Sequence, residues 1–129
     1  MAKNRSRPTD AELEILQVLW KRGPSTVREI HSILNAGRPT GYTTVLKFLQ
    51  IMTEKNLVRR DASQRTHVYR TRASQEQTQR QLLSELTTRA FGGSPARLVM
   101  QALSSKKASP DELAAIRKLL DELEEDEPS

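Results

Sequence analysis

The fold is decided by residues 42–55, which have the sequence YTTVLKFLQIMTEK. On a helical wheel of 100° per residue, one arc of this stretch holds Val45, Phe48, Leu49 and Met52. The opposite side holds Thr43, Lys47, Gln50 and Glu54. The pattern predicts a helix from about Tyr42 to Lys55 that packs through its apolar face and keeps its polar face exposed.

Two further helices are predicted upstream of this stretch. Thr9 and Glu12 have the spacing of a capping box, and an apolar face follows until a Gly-Pro pair at residues 23–24 ends the first helix. Ser25 or Thr26 caps a second, short helix. A short turn rich in Gly and Pro separates the second helix from the third.

Downstream of residue 55 the apolar period changes. Residues 57–61 and 67–71 have the pattern of short strands, and the polar, basic loop between them predicts a β-hairpin. Helical spacing returns from Ser74. Two more helix starts follow, at Ser94, where Pro95 occupies the first helical position, and at Ser109.

Three helices followed by a basic hairpin are the elements of a winged helix-turn-helix, in which the third helix enters the major groove of DNA. The expected fold is mainly α with a small β-hairpin, and a C-terminal helical dimerisation region follows the winged helix. The expected organisation is a flexible basic arm over residues 1–8, a DNA-binding domain over 9–72, the helical region over 73–125 and an acidic tail over 126–129.

Charge is distributed unevenly along the 129 residues. The net charge is +5. Residues 1–72 contain 14 Lys or Arg against 6 Asp or Glu, whereas residues 73–129 contain 7 against 10. A basic half suggests a polyanionic partner, and the less basic half suggests a second task.

Composition excludes several classes of protein. There are no cysteines, which excludes disulfides and thiolate chemistry, and no apolar run is long enough to span a bilayer. The basic beginning of the chain lacks the apolar segment of a secretory signal. We expect a soluble, cytoplasmic protein with neither cofactor nor metal site, and no catalytic constellation that would indicate an enzyme.

The candidates for contacts with base edges are the exposed residues of the third helix: Thr43, Thr44, Lys47 and Gln50. Threonine offers a hydroxyl and a methyl group, and lysine donates to guanine acceptors. Two plainer alternatives remain open: Thr44 is a helix-start residue, and Lys47 is a solvated charge.

The candidates for contacts with the DNA backbone come from three places: Tyr42 at the start of the third helix, Arg65 and Thr66 at the hairpin tip, and Arg5 and Arg7 on the arm. Tyr42 either bonds a phosphate or packs on the second helix, and the arm either follows a groove or is simply disordered. Only some of the strand arginines Arg59, Arg60 and Arg70 point towards DNA, because side chains alternate along a strand.

Leucines and other apolar residues recur at helical spacing in the C-terminal half. Three short helices of this composition would expose much apolar surface in a monomer, which favours a core shared between two chains. The candidates for this dimer interface are Leu83, Leu86, Leu98, Val99, Ile116, Leu120 and Leu123.

The chain resembles the penicillinase/methicillinase repressor family. The resemblance lies in residues 9–20 (TDAELEILQVLW), in residues 42–49 (YTTVLKFL) with the Met52, Glu54-Lys55 and Leu57-Val58 that follow, and in Val68-Tyr69. It is strong over residues 9–72 and extends more weakly to about residue 125.

The resemblance implies a homodimeric transcriptional repressor on palindromic operators, with Thr43 and Thr44 facing the groove. It also implies an indirect link to a membrane-bound sensor peptidase, whose pathway triggers cleavage of the C-terminal region in many members. The cut corresponds here to about Gln101-Ala102, where those members have an Asn-Phe pair.

A winged-helix adaptor that binds proteins instead of DNA is the alternative function, because the fold alone does not determine the partner. An adaptor does not need the positive charge of residues 1–72. Reversing the charge of Lys47 and Arg65 distinguishes the two functions.

Overall fold

The structure is a computed structural model that describes residues 7–63 and 65–126. Its elements are α1 (Asp10–Arg22), β1 (Ser25–Thr26), α2 (Val27–Gly37), α3 (Tyr42–Glu54), β2 (Val58–Asp61), β3 (Val68–Thr71), α4 (Gln75–Ala90), α5 (Pro95–Ser105) and α6 (Pro110–Asp126). The chain forms two compact units, and the boundary between them falls after Leu83. The first unit therefore includes the beginning of α4, beyond the residue 72 that the sequence suggests as the end of the DNA-binding domain.

Reciprocal hydrogen bonds fix where the first two helices begin. The Glu12 backbone N–H donates to Thr9 Oγ1 (3.2 Å), and the Thr9 N–H donates to Glu12 Oε1 (2.9 Å). Thr26 and Glu29 make the same pair of bonds at the start of α2. The predicted capping box of α1 is confirmed, and Thr26 rather than Ser25 caps α2. A helix cap of this kind stabilises a protein by about 1 kcal/mol.

The hairpin belongs to a three-stranded antiparallel sheet with the order β1-β3-β2. Strands β2 and β3 form the predicted hairpin. Strand β1 was not predicted: it pairs Ser25 with Tyr69 and Thr26 with Val68. Two residues are too few to show an alternating pattern, and in the sequence both are candidates for the cap of α2. Because β1 leads directly into α2, this pairing brings the first turn of α2 beside the hairpin.

A single apolar core holds the first unit together. Its buried residues are Ile15, Leu16, Leu19, Val27, Ile30, Val45, Leu49, Met52, Val58 and Tyr69. The three contributions from α3, which are Val45, Leu49 and Met52, have no exposed surface (0%). Phe48 shares that face but is only partly buried. Complete burial of an apolar side chain is worth about 1.5–3 kcal/mol, so α3 is fixed through its apolar face.

The second unit contains α5 and α6, whose starts agree with the prediction. Ser94 Oγ accepts the Arg97 backbone N–H (3.2 Å), with Pro95 in the first turn of α5. Ser109 and Glu112 form a reciprocal pair at α6, with bonds of 2.9 and 3.0 Å. These hydrogen bonds join residues three positions apart, so the local sequence fixes where both helices begin.

The apolar stripes of α5 and α6 do not form a buried core within this unit. The structure describes both helices in full, and neither contains a buried residue. Val99, Leu120 and Leu123 are 44%, 54% and 56% exposed. Much apolar surface of this unit is therefore exposed to solvent in the single chain.

Candidate nucleic-acid interface

The polar face of α3 is the centre of the candidate interface. The four predicted residues, Thr43, Thr44, Lys47 and Gln50, are all exposed, on the side away from the buried Val45 and Leu49. Hydroxyl, ammonium and amide groups are the side-chain groups that pair with base edges in the major groove. The helix thus presents a row of hydrogen-bonding groups on a support fixed by the core.

The N-terminus of α3 differs from those of α1 and α2. Its N-cap is Gly41, which provides no side-chain hydrogen bond. The first backbone N–H groups of a helix have no acceptor within the helix, and together they carry a partial positive charge. This end of α3 is therefore suited to an anion such as a phosphate group.

Tyr42 packs on the second helix, which is one of the two alternatives that the sequence leaves open. Its ring meets the ring of His31 edge-on, with centroids 5.6 Å apart and an interplanar angle of 71°. Tyr42 is nevertheless 47% exposed. Packing on α2 therefore leaves part of Tyr42 accessible beside Thr43 and Thr44.

A groove of about 620 Å³ lies between the start of α2, α3 and the hairpin. Tyr42 and Leu46 line it from α3, and Arg65 and Thr66 line it from the hairpin, so the groove brings together three of the predicted backbone contacts. Arg28 lines the same groove from the first turn of α2. Arg28 was not predicted, because its nearness to Arg65 depends on the unpredicted strand β1. Its place two residues after the Thr26 cap was the only available signal.

A second site with charged side chains adjoins the C-terminal half of α3. Gln50, Thr53 and Glu54 line a pocket of about 520 Å³ with Arg59 and Arg60 of β2. Arg60 is opposite Tyr69 in the sheet register, so these two side chains share the face that packs towards α3. Arg60 is therefore the strand arginine that extends the polar face of α3 near Gln50.

The side chains of the other two strand arginines, Arg59 and Arg70, alternate to the opposite face of the sheet, although Arg59 also borders the pocket near Gln50. Arg59 is paired with Arg70, and Nη2 of Arg70 is 3.8 Å from Oδ2 of Asp61. The Asp61 carboxylate accepts the Ser63 backbone N–H (2.9 Å), and this bond, together with Arg70 and Arg59, lowers its pKa below 3.8. Asp61 thus partly neutralises this face, whereas no such carboxylate lies in the groove beside Arg28 and Arg65 among the residues that line it.

The predicted arm is described only at its end. Arg5 and the rest of residues 1–6 lie outside the described residues, as do residues 127–129 of the predicted acidic tail. Arg7 is exposed, and its carbonyl oxygen accepts a hydrogen bond from Lys55 Nζ (3.4 Å). Lys55 caps the C-terminus of α3, so the end of the arm lies next to α3.

The acidic and histidine side chains of the described residues are the groups that a metal site would need. Within residues 7–63 and 65–126, no three His, Asp or Glu side chains come together in an arrangement that would hold a metal ion. His31 lies on α2 and bonds the Thr40 carbonyl, and His67 is exposed just before β3.

The predicted dimer residues share partial or full exposure. Leu98 and Ile116 are half-buried, and the exposed ones are Leu83, Leu86, Val99, Leu120 and Leu123.

Among the described residues, no helix has both the length and the apolar character that crossing a membrane requires.

Three packed helices with a wing, an exposed polar face on the third helix and a basic groove beside it define a winged helix-turn-helix protein. The chain belongs to the penicillinase repressor family, whose model matches residues 8–122. The resemblance found in the sequence is thereby confirmed. So is the expectation of a regulator rather than an enzyme, because this is a family of repressors.

The chain is similar to known regulators over most of its length. It is 34% identical over 122 residues to the transcriptional regulator BlaI of Mycobacterium tuberculosis, strains CDC 1551 / Oshkosh and ATCC 25618 / H37Rv. The alignment covers 92% of this chain and 86% of the relative.

A solved structure also supports the predicted fold. The DNA-binding domain of the repressor BlaI matches with a TM-score of 0.51 at 23% identity, over 57% of this chain and 90% of that one. The expected mainly helical fold with a winged helix is confirmed, with three strands in place of two.

Proposed function

We propose that this chain is a transcriptional repressor that binds double-stranded DNA by sequence, as a homodimer on palindromic operators in the cytoplasm. The observation that carries the proposal is the division of α3 into a fully buried apolar face and an exposed polar face. Thr43, Thr44, Lys47 and Gln50 contact base edges from that exposed face. The names of the relatives, a transcriptional regulator and the DNA-binding domain of a repressor, support this function.

Phosphate contacts set the register of the protein on DNA. Tyr42, Arg65 and Thr66 supply them from the groove beside α3, and Arg28 joins them from the first turn of α2. Arg5 and Arg7 contribute from the arm. Such contacts supply affinity without sequence information, whereas α3 supplies the discrimination.

The exposed apolar residues of α4, α5 and α6 support the homodimer. A second copy that covers Leu83, Leu86, Leu98, Val99, Ile116, Leu120 and Leu123 supplies the core that the second unit lacks. Two linked DNA-binding domains engage two half-sites about one helical turn apart, and their binding energies then add.

The relief of repression is proposed from what the family resemblance implies, and not from geometry. A membrane-bound sensor peptidase pathway that cuts the second unit separates the DNA-binding domains and weakens binding, because the second half-site no longer assists. Gln101 and Ala102, at the place of the cut in other members, are exposed on α5.

Selection of bound duplexes from a random library by the full chain tests the proposal. The enriched duplex is then titrated with protein at 50 and 200 mM salt. Neutralising several phosphates predicts that affinity falls by a factor of about 10³–10⁵ over that range. Lys47→Glu and Arg65→Glu abolish binding, whereas Lys21→Glu, a charge reversal at an exposed residue of α1, leaves most of it.

Failure of the library to yield an enriched sequence contradicts the proposed function. So does binding that Lys47→Glu and Arg65→Glu leave unchanged. Either result would favour the protein-binding adaptor, which has no need of the basic groove.

A further inference from the structure

Two side chains of α2 hold the turn that precedes α3. His31 Nε2 lies 2.7 Å from the Thr40 carbonyl oxygen, and Asn35 Oδ1 accepts the Thr40 backbone N–H at 2.9 Å. Because a carbonyl oxygen only accepts, His31 donates this bond through Nε2. Both backbone polar groups of Thr40 are therefore bonded to α2.

His31 also contacts α3 itself. Its ring meets Tyr42, the first residue of the helix, at a centroid distance of 5.6 Å. His31 and Asn35 are four residues apart and so lie on one side of α2, facing the turn. We refer to His31 and Asn35 together as the turn clamp.

The turn clamp matters more for α3 than contacts with other elements do for the starts of α1 and α2. Those two helices each have a side-chain capping box, whereas Gly41 offers α3 no side-chain cap. The Thr40 hydroxyl turns back to the Arg38 carbonyl (2.7 Å) and does not cap α3 either. The turn that leads into α3 is therefore held by α2, in addition to the core packing that fixes the apolar face of α3.

We infer that His31 and Asn35 are positioning residues, which touch no DNA themselves but set the pose of Thr43, Thr44 and Lys47 and thereby the discrimination between operator and other DNA. The inference rests on the proposed function. Side chains that recognise a partner must be held within about 0.5 Å by supporting hydrogen bonds. Phosphate contacts tolerate more movement, because their attraction is long-ranged and independent of sequence.

The test measures the affinity of the full chain for its selected duplex and for a random duplex of equal length. His31→Phe keeps an aromatic ring beside Tyr42 but removes the donor, whereas His31→Gln keeps an amide donor. Ser32→Ala, at an exposed neighbour on α2, is the matched control. Circular dichroism and the thermal midpoint verify that each variant is folded. Asn35→Ala replaces His31→Phe if the latter does not fold.

His31→Phe is expected to lower affinity for the selected duplex about threefold to tenfold per half-site, the effect of one hydrogen bond, and so about tenfold to a hundredfold for the dimer, with affinity for the random duplex unchanged. His31→Gln and Ser32→Ala retain wild-type discrimination. In a Lys47→Ala background the effect of His31→Phe shrinks, because the clamp acts through α3.

Three results would overturn the inference while leaving the proposed function intact: a His31→Phe variant that discriminates like the wild type, equal losses on both duplexes, or a His31→Gln variant as impaired as His31→Phe. A wild-type chain that selects no duplex at all contradicts the proposed function, and the inference with it.

Discussion

Lys55, at the C-terminal cap of α3, places its Nζ 2.7 Å from Oε1 of Glu12 at the start of α1. Only 3% of the Glu12 side chain is exposed, and its carboxylate also completes the capping box with Thr9. One buried carboxylate therefore joins the beginning of the first helix to the end of the helix proposed to read DNA. Removing one partner of such a pair leaves a buried charge without compensation.

Lys55→Met is expected to lower the free energy of unfolding by about 2–3 kcal/mol, since Glu12 keeps its bond to Thr9 but loses its counter-ion. Urea denaturation measures the change. Arg80→Met breaks the exposed pair with Glu76 at the same type of N–O contact (2.9 Å) and is expected to cost less than about 0.5 kcal/mol. Equal effects of the two substitutions would show that burial of Glu12 does not make the Glu12–Lys55 pair more stabilising than the exposed pair.

Glu29 predicts how stability depends on pH. The hydrogen bond from the Thr26 backbone N–H, with help from Arg22, lowers the Glu29 pKa below its ordinary value of 4.5. Because the pKa is lower in the folded state, ionised Glu29 stabilises the fold. This stabilisation is fully present above pH 4.5 and is lost as the pH falls through the folded-state pKa.

Glu29→Gln keeps a capping side chain but removes the charge. The difference in free energy of unfolding between wild type and Glu29→Gln is therefore expected to be constant near neutral pH and to shrink below about pH 4.5. Denaturation at a series of pH values measures it. A difference that grows in acid would show that folding raises the pKa of Glu29 instead of lowering it.

Arg28→Ala tests the groove between α2 and the hairpin. Loss of one phosphate contact from each protomer of the dimer is expected to weaken binding to selected and random duplexes alike and to reduce the slope of log affinity against log salt by about 2. Titrations at several salt concentrations provide the slope. An unchanged slope would show that Arg28 does not contact a phosphate. A loss confined to the selected duplex would show that Arg28 contributes to sequence discrimination instead.

Leu120→Glu tests the proposed homodimer. A carboxylate at a half-exposed position of the α6 stripe is expected to dissociate the dimer at micromolar concentration, because burying an unpaired charge is costly. Analytical ultracentrifugation measures the molar mass. Lys118→Glu, at an exposed position on the same helix but off the stripe, stays dimeric. A wild-type chain that is monomeric at this concentration would contradict the shared core.

Local signals in the sequence were sufficient to predict the helices. Thr9, Ser94 and Ser109 are caps whose bonds depend only on residues three positions away. Strand β1 was missed because its pairing with Tyr69 spans more than 40 residues and its two residues have no pattern of their own.

The candidate site likewise contains features that local sequence predicts and features that depend on contacts between distant residues. The exposed face of α3 follows from helical periodicity, so its residues were predicted correctly as surface residues. Arg28, Arg60 and His31 acquire their places only when separate elements pack together, through the sheet register, the groove and the turn before α3. No spacing along the chain encodes those contacts.

We propose above all that the polar face of α3 distinguishes one DNA sequence from another. Replacing each base pair of the selected duplex in turn, with the wild type and with Lys47→Ala, tests it most directly. We expect Lys47→Ala to lose about 1–3 kcal/mol of discrimination at one or two adjacent base pairs in each half-site and little elsewhere. A uniform loss at every position, or none, would contradict it.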